Sequence, residues 1–430
     1  MSRYAGIKDD KICVISDVVF DGSKEYVVAK IPDEFDNVSS KELMLNGRIK
    51  DGKIVCKLGK KWAKDIKVAV ITNWKMRCGV SFYMECLWPQ IAKDVGDFKL
   101  FIEENDISTG NIYQLEDKLL SEDKVNVCWK RGGSIKKLID EINKYDPDIV
   151  LINHEWGLFN NARVWLSLMT QLSKYRIIVI VHSTFPDHID KSICEAAMPE
   201  IITHLEGGKL ALENKGVSNK IHVLPHGCYS MNNDGKLWDF YNSKHTFITM
   251  GFGFKYKNFE DSIKATYLLK FKFPDIYLTA IFSESPYNKD GHQQYYNELI
   301  ELIHKLGLEE NIGVVRGFQS DAIINAYLRT NTICVLPYKS DINNKVYGSS
   351  GQARLGFSMR IPVISSSIPH FSDLPTIKAN SPEEIAIELE KLFDNSDAIK
   401  KQLEIQEAFV IENSWENTAK KFIEVFQNNT

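Results

Sequence analysis

The stretch "IKVAVITNWKMRCGVSFYMECLWPQIAKDV", residues 66–95, decides how the chain is read. "IKVAVITNW" is a short, nearly continuous apolar run, as a strand buried on both faces requires. "KMRCGVS" is a polar loop with a glycine, and "FYMECLWPQIAKDV" reads as a helix with a candidate kink at Pro89. The order strand, loop, helix then repeats. "GGSIKKLIDEINKY" places Ile135, Leu138, Ile139 and Ile142 on one helical face. "PDIVLINHEW", "YRIIVIVHSTFPDH" and "NKIHVLPHG" are apolar runs that end in polar residues. Strands alternating with helices make a parallel sheet covered on both faces.

A second set starts near His245: "HTFITMGFGFKYK", "DIYLTAIFSES", "NIGVVRGFQSD", "NTICVLPYKS" and "IPVISSS", with helical stretches such as "QQYYNELIELIHKLGL" between them. The expected architecture is α/β, with two doubly wound Rossmann-like domains at residues 66–235 and 236–412, joined near residues 230–244. Residues 1–65 read differently. "KICVISDVVF", "EYVVAKIP" and "GKIVCKL" are β-like runs broken by turn signals, including Asp51-Gly52, and predict a small β-rich extension. Open parallel sheets bind ligands at the carboxyl ends of their strands, so two of them predict a site in the cleft between.

Composition narrows the function classes. The 430 residues are ample for two cores, and a net charge of −4 is too mild to point to nucleic acid or an anionic membrane. "MSRYAGIKDD" lacks a signal peptide's apolar region, and Ile177–Val181 is far too short to span a bilayer. The eight cysteines form no C-x-x-C pair, which excludes a zinc ribbon and predicts a reducing cytoplasm. Lysines 57, 60, 61, 64 and 67 read as a solvated linker, and are the first place to look if DNA is a partner.

Residues able to do chemistry stand at the predicted strand ends. Arg77-Cys78-Gly79 follows the first strand; a glycine there lets a backbone approach a ligand, and equally serves an ordinary βα turn. Asn153-His154-Glu155, His182-Ser183-Thr184 and Pro225-His226-Gly227 end three further strands. Each histidine alone reads as a structural hydrogen-bonder; His154, His182 and His226 together on one sheet edge read as a site. "HSTFPDHID" offers His182, Asp187, His188 and Asp190, but its spacing matches no helix-based zinc motif, and no metal is expected. "MGFGFKYKN" brings Gly251, Gly253, Lys255 and Lys257 to a strand end, as a diphosphate or a solvated lysine pair would have it. "GSSG", Gly348–Gly351, offers amides and hydroxyls to phosphate oxygens. The segment after it is helix-like, yet Leu355, Phe357, Met359 and Ile361 also alternate as in a strand.

From Ile66 onward these motifs, in their order, resemble the retaining nucleotide-sugar glycosyltransferases of family 4, which have the GT-B fold. The order runs "CGVS", "PDIVLINHE", "VIVHS", "KIHVLPHG", the glycine/lysine loop, "GFQSD", "VLPY", "SSG" and "PVISSSIPHF". "NSWENTAKKFIEVF" is similar to the family's last helix, which implies that residues 413–430 cross back to the N-terminal domain. The resemblance implies that Gly79 lies against the donor phosphates or sugar, that His154 lies near the reacting sugar, with Glu155 after it, and that Lys257 neutralises the diphosphate. It implies that Gly317, Phe318 and Gln319 hold the base largely through backbone, and that Ser349, Ser350 and Gly351 belong to the phosphate loop.

Two departures matter. The family's arginine before the lysine is missing, with Lys255 as the candidate substitute, and Tyr347 and Leu355 stand where the family often has two glutamates. Some members of the wider group carry "SSG" in place of the first acid. The whole chain also resembles, more loosely, glycosyltransferases of large tailed phages. The implied function is sugar transfer from a UDP- or GDP-activated donor to a glycan, a lipid-linked glycan or a modified DNA base, without a cofactor or metal. His182, His226 and Glu155 would line the acceptor side. A nucleotide-sugar epimerase or phosphorylase on the same fold, and a degenerate sugar-binding protein, are the alternatives.

Overall fold

Five short strands precede the quoted stretch in the computed structural model, which describes residues 4–8, 11–16, 27–31, 47–50, 53–56, 62–76, 78–104, 122–155, 158–159, 162–184, 199–229, 245–284, 289–319, 321–340 and 346–428. They are β1 (Tyr4–Lys8), β2 (Lys11–Ser16), β3 (Val27–Lys30), β4 (Gly47–Lys50) and β5 (Lys53–Cys56). Their antiparallel sheet has the order β3-β1-β2-β4-β5. Lys50 faces Lys53 across β4 and β5, so the predicted Asp51-Gly52 turn would close that hairpin; those two residues lie outside the described ones. So do Lys57, Lys60 and Lys61. Lys64 and Lys67 donate to the carbonyls of Lys93 and Tyr145, at the carboxyl ends of two helices.

The quoted stretch becomes β6 (Lys67–Thr72) and α1 (Gly79–Ala92), the helix running through Pro89. There follow β7 (Asp97–Glu103), β8 (Val125–Trp129), α2 (Lys136–Tyr145), β9 (Ile149–His154), α3 (Ala162–Gln171), β10 (Arg176–Val181), β11 (Ser183–Thr184), β12 (Glu200–Thr203), α4 (Glu206–Asn214) and β13 (Ile221–Val223). The parallel sheet has the order β13-β12-β10-β9-β6-β7-β8. Its strands are apolar on both faces because both faces are covered. Val68, Val70, Leu151, Ile178 and Ile180 join α1 in one core, while Ala69, Ile71, Val150, Ile152 and Val179 join Leu138, Ile142, Trp165 and Leu168 in the other.

The second unit runs β14 (Thr246–Phe252), a 3-10 turn (Lys255–Lys257), α5 (Phe259–Leu269), β15 (Tyr277–Ser283), α6 (Lys289–Leu306), β16 (Ile312–Arg316), α7 (Asp321–Thr330) and β17 (Ile333–Leu336). It continues with β18 (Tyr347–Gly348), α8 (Gly351–Ser358), β19 (Val363–Ser365), β20 (Ile377–Lys378), α9 (Pro382–Asp394) and α10 (Ser396–Glu412). Its parallel sheet has the order β16-β15-β14-β17-β19-β20. The segment after "GSSG" is a helix. Ser350 Oγ accepts from the Ala353 amide at 3.4 Å as its cap, and Ala353 and Phe357, one turn apart, face the core. The join at residues 230–244 lies outside the described residues.

The last helix, α11 (Trp415–Gln427), packs in the core of the first unit. Trp415, Ala419, Phe422 and Phe426 recur at helical spacing and meet Tyr83, Leu87 and Trp88 of α1. The Arg176 guanidinium donates to the carbonyls of Val425 and Phe426, both at 2.8 Å, and so closes the helix's carboxyl end. Gly227 fits under the indole. A Cβ there would lie 2.2 Å from Cε3 of Trp415. We expect Gly227→Ala to cost about 2 kcal/mol through overpacking. A urea melt with an unchanged midpoint would show that the α11 contact yields without cost. Among the described residues no helix is long and apolar enough to cross a membrane.

Candidate active site at the two switch points

Each parallel sheet reverses its direction of winding once. In the first, the chain leaves β6 toward β7 and β8, and resumes beside it at β9 toward β10, β12 and β13. In the second it leaves β14 toward β15 and β16, and resumes at β17 toward β19 and β20. Crossovers on opposite faces open a crevice at the carboxyl ends of β6 and β9, and another at those of β14 and β17. The loop before Gly79 and residues His154-Glu155 flank the first crevice. Gly253–Lys257 and Pro337-Tyr338 flank the second.

Gly79 begins α1, and a Cβ on it would meet nothing within 4 Å. Cys78 Sγ caps the helix, accepting from the Ser81 amide at 3.4 Å and from Asn73 Nδ2 at 2.8 Å. Arg77 lies outside the described residues. The alternation of β9 turns Asn153 and His154 to opposite faces. His154 is buried on the α3 side, its ring 4.5 Å from Trp165 and 6.1 Å from Phe159. Burial pulls it down to about 3, so it is neutral near pH 7.

Asn153 faces the other side and orders a chain of imidazoles. Its amide nitrogen donates to Thr72 Oγ1 and to the Val80 carbonyl, both at 3.0 Å, which leaves Oδ1 facing His182 Nε2 at 2.6 Å. His182 Nε2 therefore carries the proton. Its Nδ1 is 3.2 Å from His204 Nε2, and His204 Nδ1 is 3.0 Å from the Leu224 carbonyl. His226 completes the group. The Tyr83 ring lies 4.6, 5.0 and 5.0 Å from His182, His204 and His226. Burial lowers all three, His204 to about 4. Of the three histidines expected on one edge, His182 and His226 thus meet around Tyr83 with His204, and His154 stands across the sheet from them.

The loop with Ser349 and Ser350 is tied to the first unit by strand pairing. β11 and β18 pair antiparallel, Ser183 opposite Gly348 and Thr184 opposite Tyr347. The Tyr347 ring lies on Gly207, where a Cβ would come within 2.6 Å of Cε1. Tyr347, at the position of an expected acid, thus packs across the domain boundary. Ser349 Oγ is buried with no hydrogen-bond partner among the described residues. Gly351 lies nearest His226, whose Nε2 would be 4.0 Å from an added Cβ. Glu155 accepts from Ser183 Oγ at 2.8 Å, and its charge reaches Tyr256 of the second unit, where burial first and this carboxylate second hold the phenol up at about 12.

At the second switch point the two expected lysines part. The Lys255 side chain is 64% exposed and paired with Glu298 at 2.8 Å. Lys257 is 7% exposed, with Nζ 3.7 Å from the centre of the Tyr338 ring and 4.9 Å from that of Tyr256. Among the described residues no carboxylate pairs with it, and burial pulls it from 10.5 to about 7. Gly253 serves packing, since a Cβ would lie 2.0 Å from Phe282 Cζ. Gly317 is different. Its φ of +93° is the left-handed region, and a Cβ would meet nothing within 4 Å. Phe318 beside it is exposed, and Gln319 Nε2 donates to the carbonyls of Arg316 at 3.2 Å and Gly317 at 3.3 Å.

Four participants carried little or no signal of their own. His204 follows the strand "EIIT", the same strand-end position that marked the other histidines. Tyr338 lies within "VLPY", and His370 within "IPHF". Arg354 has no signal, because nothing in a sequence marks an arginine as buried. It donates to the His226 carbonyl at 3.0 Å, to the Ser350 carbonyl at 3.1 Å and to Asp373. Beside the strap that β11 and β18 form between the units, a cavity of about 920 Å³ is lined by His204, Glu206, Tyr347, Asp373 and Glu412 among others; neither His154 nor Lys257 lines it. Asp187, His188 and Asp190 lie outside the described residues, as does Ser320 of "GFQSD".

The sequence matches no protein-family model and no curated protein. Solved structures do match. Anabaena Alr3699/HepE in complex with UDP superposes at a TM-score of 0.64 and 11% identity, covering 84% of this chain and 99% of that one. An E. coli structure described as trehalose-6-phosphate bound with UDP-2-fluoro glucose superposes at 0.61 and 14%, over 84% and 98%. A glycosyltransferase from Rickettsia africae superposes at 0.62 and 16%, over 84% and 98%. At such identities the likeness establishes the fold, which is GT-B.

The displaced titration of Lys257 has a stability signature. Between about pH 7 and 10.5 the folded chain holds this lysine neutral while the unfolded chain keeps it protonated. The unfolded state binds more protons there, so the difference in stability between wild type and Lys257→Met shifts in favour of wild type as pH rises, by up to about 1.4 kcal/mol per pH unit. Below pH 7 both states are protonated and the slope vanishes. Denaturant titrations at pH 7.5, 8.5 and 9.5 measure it; a flat difference would mean that Lys257 titrates normally.

Proposed function

We propose that this chain is a glycosyltransferase that moves a sugar from a nucleoside-diphosphate donor to a hydroxyl acceptor, with retention at the anomeric carbon. One observation carries the reading: the Lys257 ammonium is buried at a switch point with no carboxylate partner among the described residues. Burying an unpaired cation costs several kcal/mol in a free protein. The cost is offset where a ligand brings the opposite charge. Tyr338 links this lysine to the phosphate loop, its ring facing Nζ and its hydroxyl donating to Gln352 in the first turn of α8 at 2.9 Å. The N-terminus of α8 adds a positive dipole end to the same site.

As the bond from the anomeric carbon to the β-phosphate oxygen breaks, negative charge builds on the departing diphosphate. Lys257 and the α8 amides stabilise it as it forms, which makes a metal dispensable. In this reading Gly79 and His154 meet the donor sugar and its phosphates from the first sheet. Gly317, Phe318 and Gln319 form an open rim for the base. Glu155, His182 and His226 shape the acceptor side, the two histidines as neutral groups. The UDP and UDP-sugar complexes among the matching structures favour a uridine donor over a guanosine one. Lys64 and Lys67 are engaged by helix carbonyls, which favours a glycan or other small hydroxyl acceptor over DNA.

A second reading has its own observation. Tyr347 is consumed by the strap and Leu355 is no acid, so a protein that binds the donor without turning it over fits these two positions. Nucleotide release separates the readings. A transferase liberates UDP or GDP from one nucleotide sugar once an acceptor is present, an epimerase interconverts sugars without release, and a binding protein is only stabilised thermally. We expect Lys257→Ala to lower kcat/KM by at least about 100-fold, the scale of a lost charge-assisted contact to a developing anion. Release by this variant at the wild-type rate would remove Lys257 from the site and the reading with it.

A further inference from the structure

Lys257 alone does not match a diphosphate, which carries two negative charges near neutral pH. Lys255 is turned to solvent and held by Glu298. The group that stands near Lys257 instead comes from a distant segment. His370 sits in the 3-10 turn Pro369–Phe371, after β19. Its ring centre is 6.2 Å from that of Tyr256 and 6.4 Å from that of Tyr338, the two rings that flank the Lys257 ammonium. Its Nε2 would be 3.4 Å from a Cβ on Gly348, which places it against the backbone that leads into the phosphate loop. Its Nδ1 is buried and has no hydrogen-bond partner among the described residues, as is also true of Ser349 Oγ.

We infer that His370 is the second cationic partner of the donor diphosphate, donating a hydrogen bond from its imidazolium opposite Lys257. The inference rests on the donor-site reading above. The titratable and charged groups about the ring are Tyr256 and Lys257 from one turn and Tyr338 from another; on the strap side stand Gly348 and Ser183, whose hydroxyl donates to Glu155. No described carboxylate is paired with it. In the free protein burial first and the Lys257 charge second hold His370 down at about 4, so it is neutral. A diphosphate reverses both influences. It compensates the lysine and offers the imidazole an anionic acceptor, and the ring takes up a proton from solvent as the donor binds.

The two basic groups separate at pH 6. Lys257, at about 7, is mostly charged there before any ligand arrives, and His370 is not. Both phosphates of a nucleotide sugar are diesters and do not titrate in this range. Calorimetric titration of the full chain with UDP-glucose and with GDP-mannose, in buffers of different ionisation enthalpy, counts the protons. We expect wild type to take up close to one proton per donor bound at pH 6. His370→Gln, which keeps an N–H donor but cannot charge, should take up none and bind about tenfold more weakly. Its melting temperature without donor should match wild type. Undiminished uptake or affinity in this variant overturns the role of His370. If Lys257→Ala still loses affinity in that case, the donor site stands without it. Binding that neither substitution alters, or no binding of either donor at millimolar concentration, overturns the donor site and this inference together.

Discussion

A buried guanidinium holds the two units in register. Arg354 projects from α8 with almost no exposure to water. Three of its N–H groups go to the carbonyl of His226 in the first unit, to the carbonyl of Ser350 that begins its own helix, and to Asp373. A buried arginine is tolerable only when its charge is paired and hydrogen-bonded, and removing Asp373 would leave that charge uncompensated. The arrangement therefore admits little variation. It sets the N-terminus of α8 against the first unit, and the strap of Ser183-Thr184 and Tyr347-Gly348 lies along the same boundary. The positions of Ser349, Ser350 and Gly351 follow from these two contacts.

Burial explains the electrostatics of the site more fully than charge pairing does. Three imidazoles around Tyr83 and a fourth on the other face of the sheet are neutral because water is excluded from them. Their hydrogen bonds run inward, to Asn153 and to backbone carbonyls, which leaves two unprotonated nitrogens facing each other where His182 Nδ1 meets His204 Nε2. The three around Tyr83 make an uncharged cluster. Lys257, in the second unit, is stacked on Tyr338 and is brought near neutrality by the same exclusion of water. The nearby acidic groups are otherwise engaged: Glu298 holds Lys255, Asp373 holds Arg354, and Glu155 accepts from Ser183 Oγ.

Much of this was legible from residue patterns, for identifiable reasons. The strands of a sheet covered on both faces must be apolar throughout, so "IKVAVITNW", "PDIVLINH" and "RIIVIV" announced themselves. Strand ends must meet solvent or ligand, so His154, His182, His226 and Lys257 could be picked out. The ambiguity between helix and strand after "GSSG" was real, because Phe357, Met359 and Ile361 all reach the same core. The capping serine settles it locally, since Ser350 takes up an amide that a strand would have paired elsewhere. Gly253 was less transparent. Its lack of a side chain serves the Phe282 ring, a contact between neighbouring strands that no local pattern encodes.

The sequence by itself determined the two α/β units, their strand order as a list, and the residue types available at each strand end. These follow from the periodicity of burial, which acts over a few residues at a time. Tertiary structure alone decided which of those residues share a space. It parted Lys255 from Lys257, split His154 from the other histidines, and folded Tyr347 into a cross-domain strap. It also brought His370 to Lys257 across more than a hundred residues of chain. The physical reason is that desolvation and pairing depend on neighbours distant in sequence. A lysine or an arginine has the same local signature whether it ends in water, against a carboxylate or in a dry cleft awaiting an anion.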